Sequence, residues 1–443
     1  MGGAPRSPWN TEVAIRSAQN PLHAMIRPSS LPVSTLVKTS TKEGGDNAQD
    51  GCCIYNRSFW SAFTANTLVA ITLGLTYRYA DFVAYLGGTE LHLGWIVGVG
   101  MVGSVATRLW LGAGIDRHGP RIMWLASLAL LTISSLAHLA IAKHDGVAIY
   151  LVRIAFSTAL AGVWSASTTF VSARVAVPRM AEVIGMLGTS GFLGIMLGTQ
   201  LGDWLCAGVN GNRGPIDRMF IAAGLFAAAA APFAWLATQG YVRPADHARG
   251  PLLPVVRRHQ TGMALVLGLV AGAAISLPAT FLRAYAAEVH IVRIGLFFAV
   301  CAMVALISRV TARRLPQRLG LPRMIVFGFA AMAAAQLTFI PVSKEWHLIV
   351  PGLLAGLAQA ILYPTIVTAS SSPFPSRYRG LATTLILAAF DLGQVVGAPA
   401  AGAVLHYSQA LGLPSYPSMF VAMAAALVLT GAWYAVWCAR PRS

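Results

Sequence analysis

Charge is what this chain has least of. Only 11% of its 443 residues are Asp, Glu, Lys or Arg, and just 15 are acidic, against about 25% charged residues in an ordinary soluble domain. So little charge cannot hydrate a globular surface of this size, and most of the chain is expected to face lipid. Cysteine is sparse too: Cys52, Cys53, Cys206, Cys301 and Cys438 form neither a disulfide framework nor a metal-ligand spacing. No metal and no cofactor are therefore expected. The histidines His138, His290, His347 and His406 are scattered, and neither HExxH nor GxSxG occurs, so the arrays of common hydrolases are missing and no enzyme is expected. The GxxxxGK[ST] phosphate loop is also missing, which excludes an ATP-driven pump within this chain.

What is present is apolar. The hydrophobic share is 56% and the mean hydropathy is +0.64. Apolar segments near the length of roughly 20 residues that spans a bilayer recur at 58–86, 94–113, 122–142, 147–171, 183–206 and 219–238. A polar stretch with Pro244, Pro251, Pro254, Arg257 and Arg258 follows at 239–260, as a boundary between two bundles should look. Further spans then fall at 261–288, 294–315, 324–341, 347–370, 380–405 and 418–438. Residues 1–57 are rich in Ser, Thr, Pro, Gly and Asn and lack the compact apolar core of a signal peptide; they read as a flexible tail. The expected fold class is an all-α integral membrane protein with twelve transmembrane helices in two six-helix bundles, 58–238 and 261–438, joined by the 239–260 linker and ending in a short tail at 439–443.

The net charge of +17 does not point to nucleic acid, because the basic residues punctuate the apolar runs instead of gathering in a patch. They alternate. One set of loops holds Arg117, Arg121, Arg174, Arg179, Arg243, Arg249, Arg257, Arg258, Arg313, Arg314, Arg318, Arg323, Arg377 and Arg379, whereas the other holds Arg78, Lys143, Arg213, Arg218, Arg293 and Lys344. Cytoplasmic loops retain excess Lys and Arg, so the first set, both termini, the tail and the linker are expected in the cytoplasm of a multi-pass cell-membrane protein.

The halves look like relatives. Arg108 to Arg121 reads RLWLGAGIDRHGPR, and Arg309 to Arg323 reads RVTARRLPQRLGLPR at the same place in the second half. Gly194, Gly198 and Gly202 in the fifth span recur as Gly393, Gly397 and Gly402 in the eleventh, the last displaced by one. Small residues at this spacing let helix backbones approach closely.

GAGIDRHGPR, Gly112 to Arg121, resembles the loop signature of the major facilitator superfamily between its second and third helices. Arg153 in YLVRIAFSTALAG is similar to that family's fourth-helix arginine, and GFLGIMLGTQLGDW to its glycine-rich fifth helix. The resemblance covers nearly everything after Ser58. It implies a secondary transporter moving a small molecule, such as a drug, sugar or other metabolite, by alternating access, with protons as a candidate coupling ion and a monomer as the working unit. It also implies that Asp116, with Gly112, Arg117, Gly119 and Arg121, latches the cytoplasmic gate; the alternative is a solvated ion pair that only marks topology. A passive facilitator, or a receptor or scaffold on the same fold, remains the alternative function. The family's exporters commonly carry Gly-Pro and Gly-Gly pairs in the fifth helix, where this chain has Gly198-Thr199 and Gly202-Asp203, which weakens an inference of antiport.

Intramembrane charge marks the candidate site, since an ion near a helix centre costs about 2.5–3.5 kcal/mol on insertion scales and tends to face a cavity or a partner. Arg153 sits about six residues into its span, roughly 9 Å deep at 1.5 Å per residue, and either serves the site or snorkels outward. Asp391 lies roughly 16 Å from the start of its span, where a carboxylate can bind a cation, relay a proton, pair with an arginine of the other half, or hold two helices together. Gln394 follows on the same helix. Gln359 and Tyr363, one turn apart beside Pro364, form a polar pair in the tenth span. Arg78 and Asp81, with Tyr77 and Tyr79, cluster at the far end of the first span, where ligand entry and an aromatic belt are both possible.

Overall fold

A backbone that crosses hydrocarbon must satisfy its own polar groups, and this one does so with helices: no strand occurs among the described residues. The computed structural model describes residues 55–175, 179–207, 212–240, 262–311, 319–372, 374 and 379–439, all inside the unit Ile54–Ser443. Side chains of 110–118, 181, 310 and 379–381 are not among those described. The tail expected at 1–57, as far as residue 54, the linker from residue 241 and the last four residues lie outside the described residues.

Among the described residues twelve helices run in chain order: α1 Arg57–Tyr85, α2 Glu90–Leu109 and α3 Gly119–Ala140; α4 Val147–Ser172, α5 Met180–Leu205, α6 Arg213–Ala237, α7 Gly262–Glu288, α8 Gly295–Thr311, α9 Leu321–Leu337, α10 Ile349–Ser371, α11 Arg379–Ala410 and α12 Ser415–Ala439. Ten are long and apolar enough to cross a bilayer, and the apolar parts of α8 and α9 are shorter. Ile133, Leu151, Leu225, Leu429 and Trp433 stand exposed on their helices, as lipid-facing side chains should. With successive helices alternating in direction, the α1–α2, α3–α4, α5–α6, α7–α8, α9–α10 and α11–α12 connections share one face, called here the α1–α2 face. The others share the α2–α3 face.

Sequence details explain the breaks. Asn56 caps α1 by accepting a 3.0 Å hydrogen bond from the Phe59 amide. A 3-10 turn, Thr76–Arg78, then interrupts α1. The α2 and α3 segments run on as one helical stretch that kinks at Gly119, with φ 81° and ψ 157°. Gly320, the cap of α9, has φ 77° and ψ 152°. Only glycine adopts this backbone readily, and in both places a proline follows to start the next helix. The duplicated RHGPR and RLGLPR strings thus make the same bend.

The glycine rows also do the same work twice. A Cβ on Gly198 of α5 would sit 2.9 Å from Ile71 Cα of α1, and one on Gly74 of α1 would sit 2.9 Å from the Ile195 carbonyl oxygen. In the second half, a Cβ on Gly393 of α11 would meet Ala273 N of α7 at 2.9 Å, and one on Gly397 would meet Ala273 Cα at 2.9 Å. Helix pair α1–α5 therefore matches α7–α11, each held at backbone distance by small residues. The third members differ: Gly202 adjoins Leu75 and Arg78 of α1, whereas Gly402 faces Glu90 and Leu91 of α2, across the halves.

The apolar cores reveal where the halves join. One cluster belongs to the first half alone, with Phe59, Trp124, Phe170, Leu187 and Ala234, and another to the second half alone, with Leu267, Phe329, Leu362, Phe390 and Leu427. Both lie toward the α2–α3 face. The third cluster is shared, running from Leu75, Phe82, Leu93 and Phe220 to Phe281, Phe298, Phe339, Leu405 and Phe420, and it lies toward the α1–α2 face. The bundles are fused at one face and have separate cores at the other.

Gly198→Leu and Gly393→Leu are each expected to lower stability by at least about 1–3 kcal/mol through overpacking against backbone. Gly185→Ala, where a Cβ meets nothing within 4 Å, is expected to be neutral or mildly stabilising. Thermal unfolding of the detergent-solubilised variants, followed by size-exclusion chromatography, checks the contrast.

Candidate functional site

Two groups of polar side chains lie between the halves. The first sits under the α1–α2 face, built on the 3-10 break in α1. The guanidinium of Arg78 meets Asp203 of α5 through Nη1 at 2.8 Å and Asp81 through Nη2 at 2.8 Å. Arg283 of α7 meets the other side of Asp81, Nε to Oδ1, at 2.8 Å. The Arg78 Nη1 also donates to the Val292 carbonyl at 3.3 Å, and the Gly295 amide, first of α8, donates to Asp203 Oδ2 at 2.6 Å. That carboxylate stands at the positive end of a helix dipole. Two arginines and two aspartates thus balance one another, with side-chain exposures of 2% for Arg78 and 4% for Asp203. Because Arg283, Val292 and Gly295 come from the second half, this lattice ties the bundles together. Nearby, the Tyr77 ring packs at a tilt against Phe298 of α8 with centroids 4.6 Å apart, and Tyr416 of α12 reaches Glu90 of α2 at 3.5 Å.

The second group lies deeper. Asp391 of α11, 6% exposed, pairs with Arg108 Nε of α2 at 2.5 Å and also accepts a hydrogen bond from Ser104. It is an inter-half ion pair, one of the alternatives open for it from the sequence. Tyr363 of α10 lies within electrostatic reach of Arg108, Arg309 and Asp391, stacks against Phe390 at 5.5 Å, and is 40% exposed although mid-helix. One turn away, Gln359 donates to Cys301 Sγ of α8 at 3.4 Å. Tyr77 lies within electrostatic reach of Arg153, and a polar track runs from α4 to α11.

Arg153 lies on that track and does not reach a lipid headgroup region by snorkelling: its guanidinium sits 4.6 Å over the Tyr79 ring and 5.2 Å from that of Phe156. Its Nη1 is buried with no hydrogen-bond partner. Gly100 of α2 makes room for it, since a Cβ there would meet Arg153 Cβ at 3.2 Å. Gln394 is half-buried on α11 and is not drawn into the Asp391 pair. Gly112, Asp116 and Arg117 fall outside the residues with described side chains, while Gly119 forms the kink and Arg121 rests over the Trp235 ring of α6 at 5.6 Å. Among the described residues no group of three His, Cys, Asp or Glu could hold a metal ion.

The sequence reading did not single out Asp203, Ser104, Arg108 or Arg309 as site residues. The last two had a signal, as they open the two copies of the repeated segment; Asp203 departs from the Gly-Gly pair noted for the fifth helix.

Comparison with known proteins accords with this architecture. The profile of the Major Facilitator Superfamily matches residues 58–343 and 263–443. The chain belongs to that superfamily. It is thus a multi-pass membrane protein of a transporter family. Similar solved structures include the nucleoside transporter NupG, at TM-score 0.71 and 11% identity over 88% of this chain and 100% of that one. An auto-inhibited POT family peptide transporter gives 0.69 and 13% over 88% and 98%. A bacterial homologue of the human lysosomal transporter Spinster, inward-facing and unoccupied, gives 0.67 and 14% over 87% and 97%. At these identities the likeness is one of fold. Two curated relatives from Agrobacterium vitis, each named "Putative tartrate transporter", are 28% identical over 138 residues, 31% of this chain. The shared stretch is about 30% of those relatives' own length.

Breaking one partner of a buried ion pair leaves an uncompensated charge and costs about 3–5 kcal/mol. Arg78→Gln is therefore expected to lower stability by roughly 3 kcal/mol. Arg213→Gln, which loses the half-exposed pair with Asp217, should stay within about 1 kcal/mol. Thermal unfolding of the two variants side by side measures the difference.

Proposed function

We propose that the protein is a secondary transporter that carries a small solute across the cell membrane by alternating access, working as a monomer with both termini in the cytoplasm. The observation that carries this reading is the fused core under the α1–α2 face beside the separate cores toward the α2–α3 face. Two rigid bundles hinged in that manner can rock, opening one mouth as the other shuts. Loop charge makes the α2–α3 face cytoplasmic, so the closed face is external.

In this reading Arg78, Asp81, Asp203 and Arg283 form the external latch, and Asp116 with Arg117 forms its cytoplasmic counterpart. The latch must open for the solute to pass outward, and its balanced charges let the halves part without leaving a net charge on the lattice as a whole. The central space then holds the solute among Arg153, Gln359, Tyr363, Gln394 and the Arg108–Asp391 pair. Asp391 is the carboxylate of the interior group and the candidate for proton coupling, because protonation would release Arg108 across the interface.

Cross-linking tests the rocking motion. In a cysteine-free background, Glu90→Cys and Tyr416→Cys, which replace a contacting pair of α2 and α12, are bridged with a reducible spacer in proteoliposomes. Flux of a solute found by screening is expected to stop on bridging and return on reduction; undiminished flux in the fully bridged protein would refute alternating access. Accumulation above equilibrium under an imposed proton gradient marks coupled transport, and equilibration alone marks a facilitator.

A further inference from the structure

The charge of the central space has a sign. Arg108, Arg153 and Arg309 reach it from α2, α4 and α8, and Asp391 is the acid among them. The other described carboxylates of α1 to α12 are committed elsewhere or stand at helix ends. Asp81 and Asp203 belong to the latch, Asp217 pairs with Arg213 and Glu182 with Arg179, and Glu90 and Glu288 stand at the α1–α2 ends of α2 and α7. An excess of cations away from water is stable only when it faces anions, water or aromatic rings.

Building on the transport reading, we propose that the central space is an anion site, in which Arg153 of α4 and Arg309 of α8 each offer a guanidinium to a carboxylate of a small organic acid. Arg153 has a buried Nη1 that donates to nothing, and its planar face is already taken by the rings of Tyr79 and Phe156. The edge that donates hydrogen bonds is what remains for a ligand, and a guanidinium edge matches a carboxylate in two parallel bonds. Arg309 repeats the arrangement from the other half: its guanidinium lies 4.8 Å over the Phe192 ring, and no ion pair to it occurs among the described residues.

The internal duplication sharpens the point. Arg108 and Arg309 open the two copies of the repeated segment, and both act on Tyr363. Among the described residues, Arg108 has its acid, Asp391, and Arg309 has none. Tyr77, Gln359 and Tyr363 lie along the track between Arg153 and Arg309 and add neutral donors, while Phe298 and Phe390 flank it with apolar surface for a carbon skeleton. A cationic solute would meet like charge on both sides of the space, and a neutral one would leave two arginines unmatched.

The test uses the full-length protein, purified in detergent and reconstituted in proteoliposomes. The probes are three- to six-carbon mono- and dicarboxylates, each beside its uncharged amide, together with a set of neutral sugars and organic amines. A carboxylate is expected to raise the unfolding temperature and to be carried, and its amide to do neither. Arg153→Gln and Arg309→Gln are each expected to weaken carboxylate binding at least tenfold while the ligand-free unfolding temperature holds, with Arg153→Lys restoring part of it. Should either Gln variant fail to fold, charge reversal of the ligand series on the wild type decides instead. Transport of a neutral or cationic solute but of no carboxylate would overturn the anion site and leave the transporter reading standing. Transport of no probe of any charge would overturn both. Carboxylate binding unchanged in both Gln variants would overturn the assignment of these arginines.

Discussion

Charge that leaves water must be neutralised where it stands, and in this chain that rule fixes which part of the molecule is closed. Arg78 is almost wholly buried, yet it touches two carboxylates and a backbone carbonyl. Its partners Asp81 and Asp203 are in turn claimed by Arg283 and by the first amide of α8. Since these groups come from both bundles, burying them requires the bundles to meet, and meeting brings Leu75, Phe82, Phe281 and Phe298 into one core. Hydrocarbon around the helices gives little drive for helices to associate, so this polar lattice supplies specificity that apolar contact in lipid does not.

The remainder of the architecture follows from duplication. The same glycine-proline bend appears before α3 and α9, and the same backbone-to-backbone approach binds α1 to α5 and α7 to α11. These tight pairs make each half a stiff body. What differs between the copies is charge: among the described residues, Arg108 is matched by Asp391 and neither Arg309 nor Arg153 is paired with an acid. Stiffness is shared by the halves and chemistry is divided between them, the arrangement expected when a repeated scaffold carries a central site.

Much of this was legible from residues alone. Apolar length gave twelve helices because a bilayer has one thickness, and the glycine rows predicted close packing because only small residues permit it. The repeat was visible as RHGPR and RLGLPR because a backbone conformation restricted to glycine leaves a mark in sequence. Side-chain partnership was not legible. Arg78 and Asp81 read as a polar cluster open to an aromatic-belt interpretation, and their further partners Asp203 and Arg283 lie 125 and 202 residues away along the chain. Asp391 stood out by depth, but which arginine met it depended on helix rotation, and Arg108 stood only as the first residue of the repeated segment. A span boundary says how deep a residue lies; only packing says what it faces.

The dependence of the closed face on the Arg78 lattice is open to direct measurement by pulsed electron resonance. Spin labels at Tyr85→Cys of α1 and Ala287→Cys of α7, both exposed positions at the α1–α2 face, report the separation of the halves in a cysteine-free background. With the lattice intact a single short distance is expected, and adding Asp81→Asn should introduce a second, longer population. Identical distance distributions with and without that substitution would contradict the central role given to these charges.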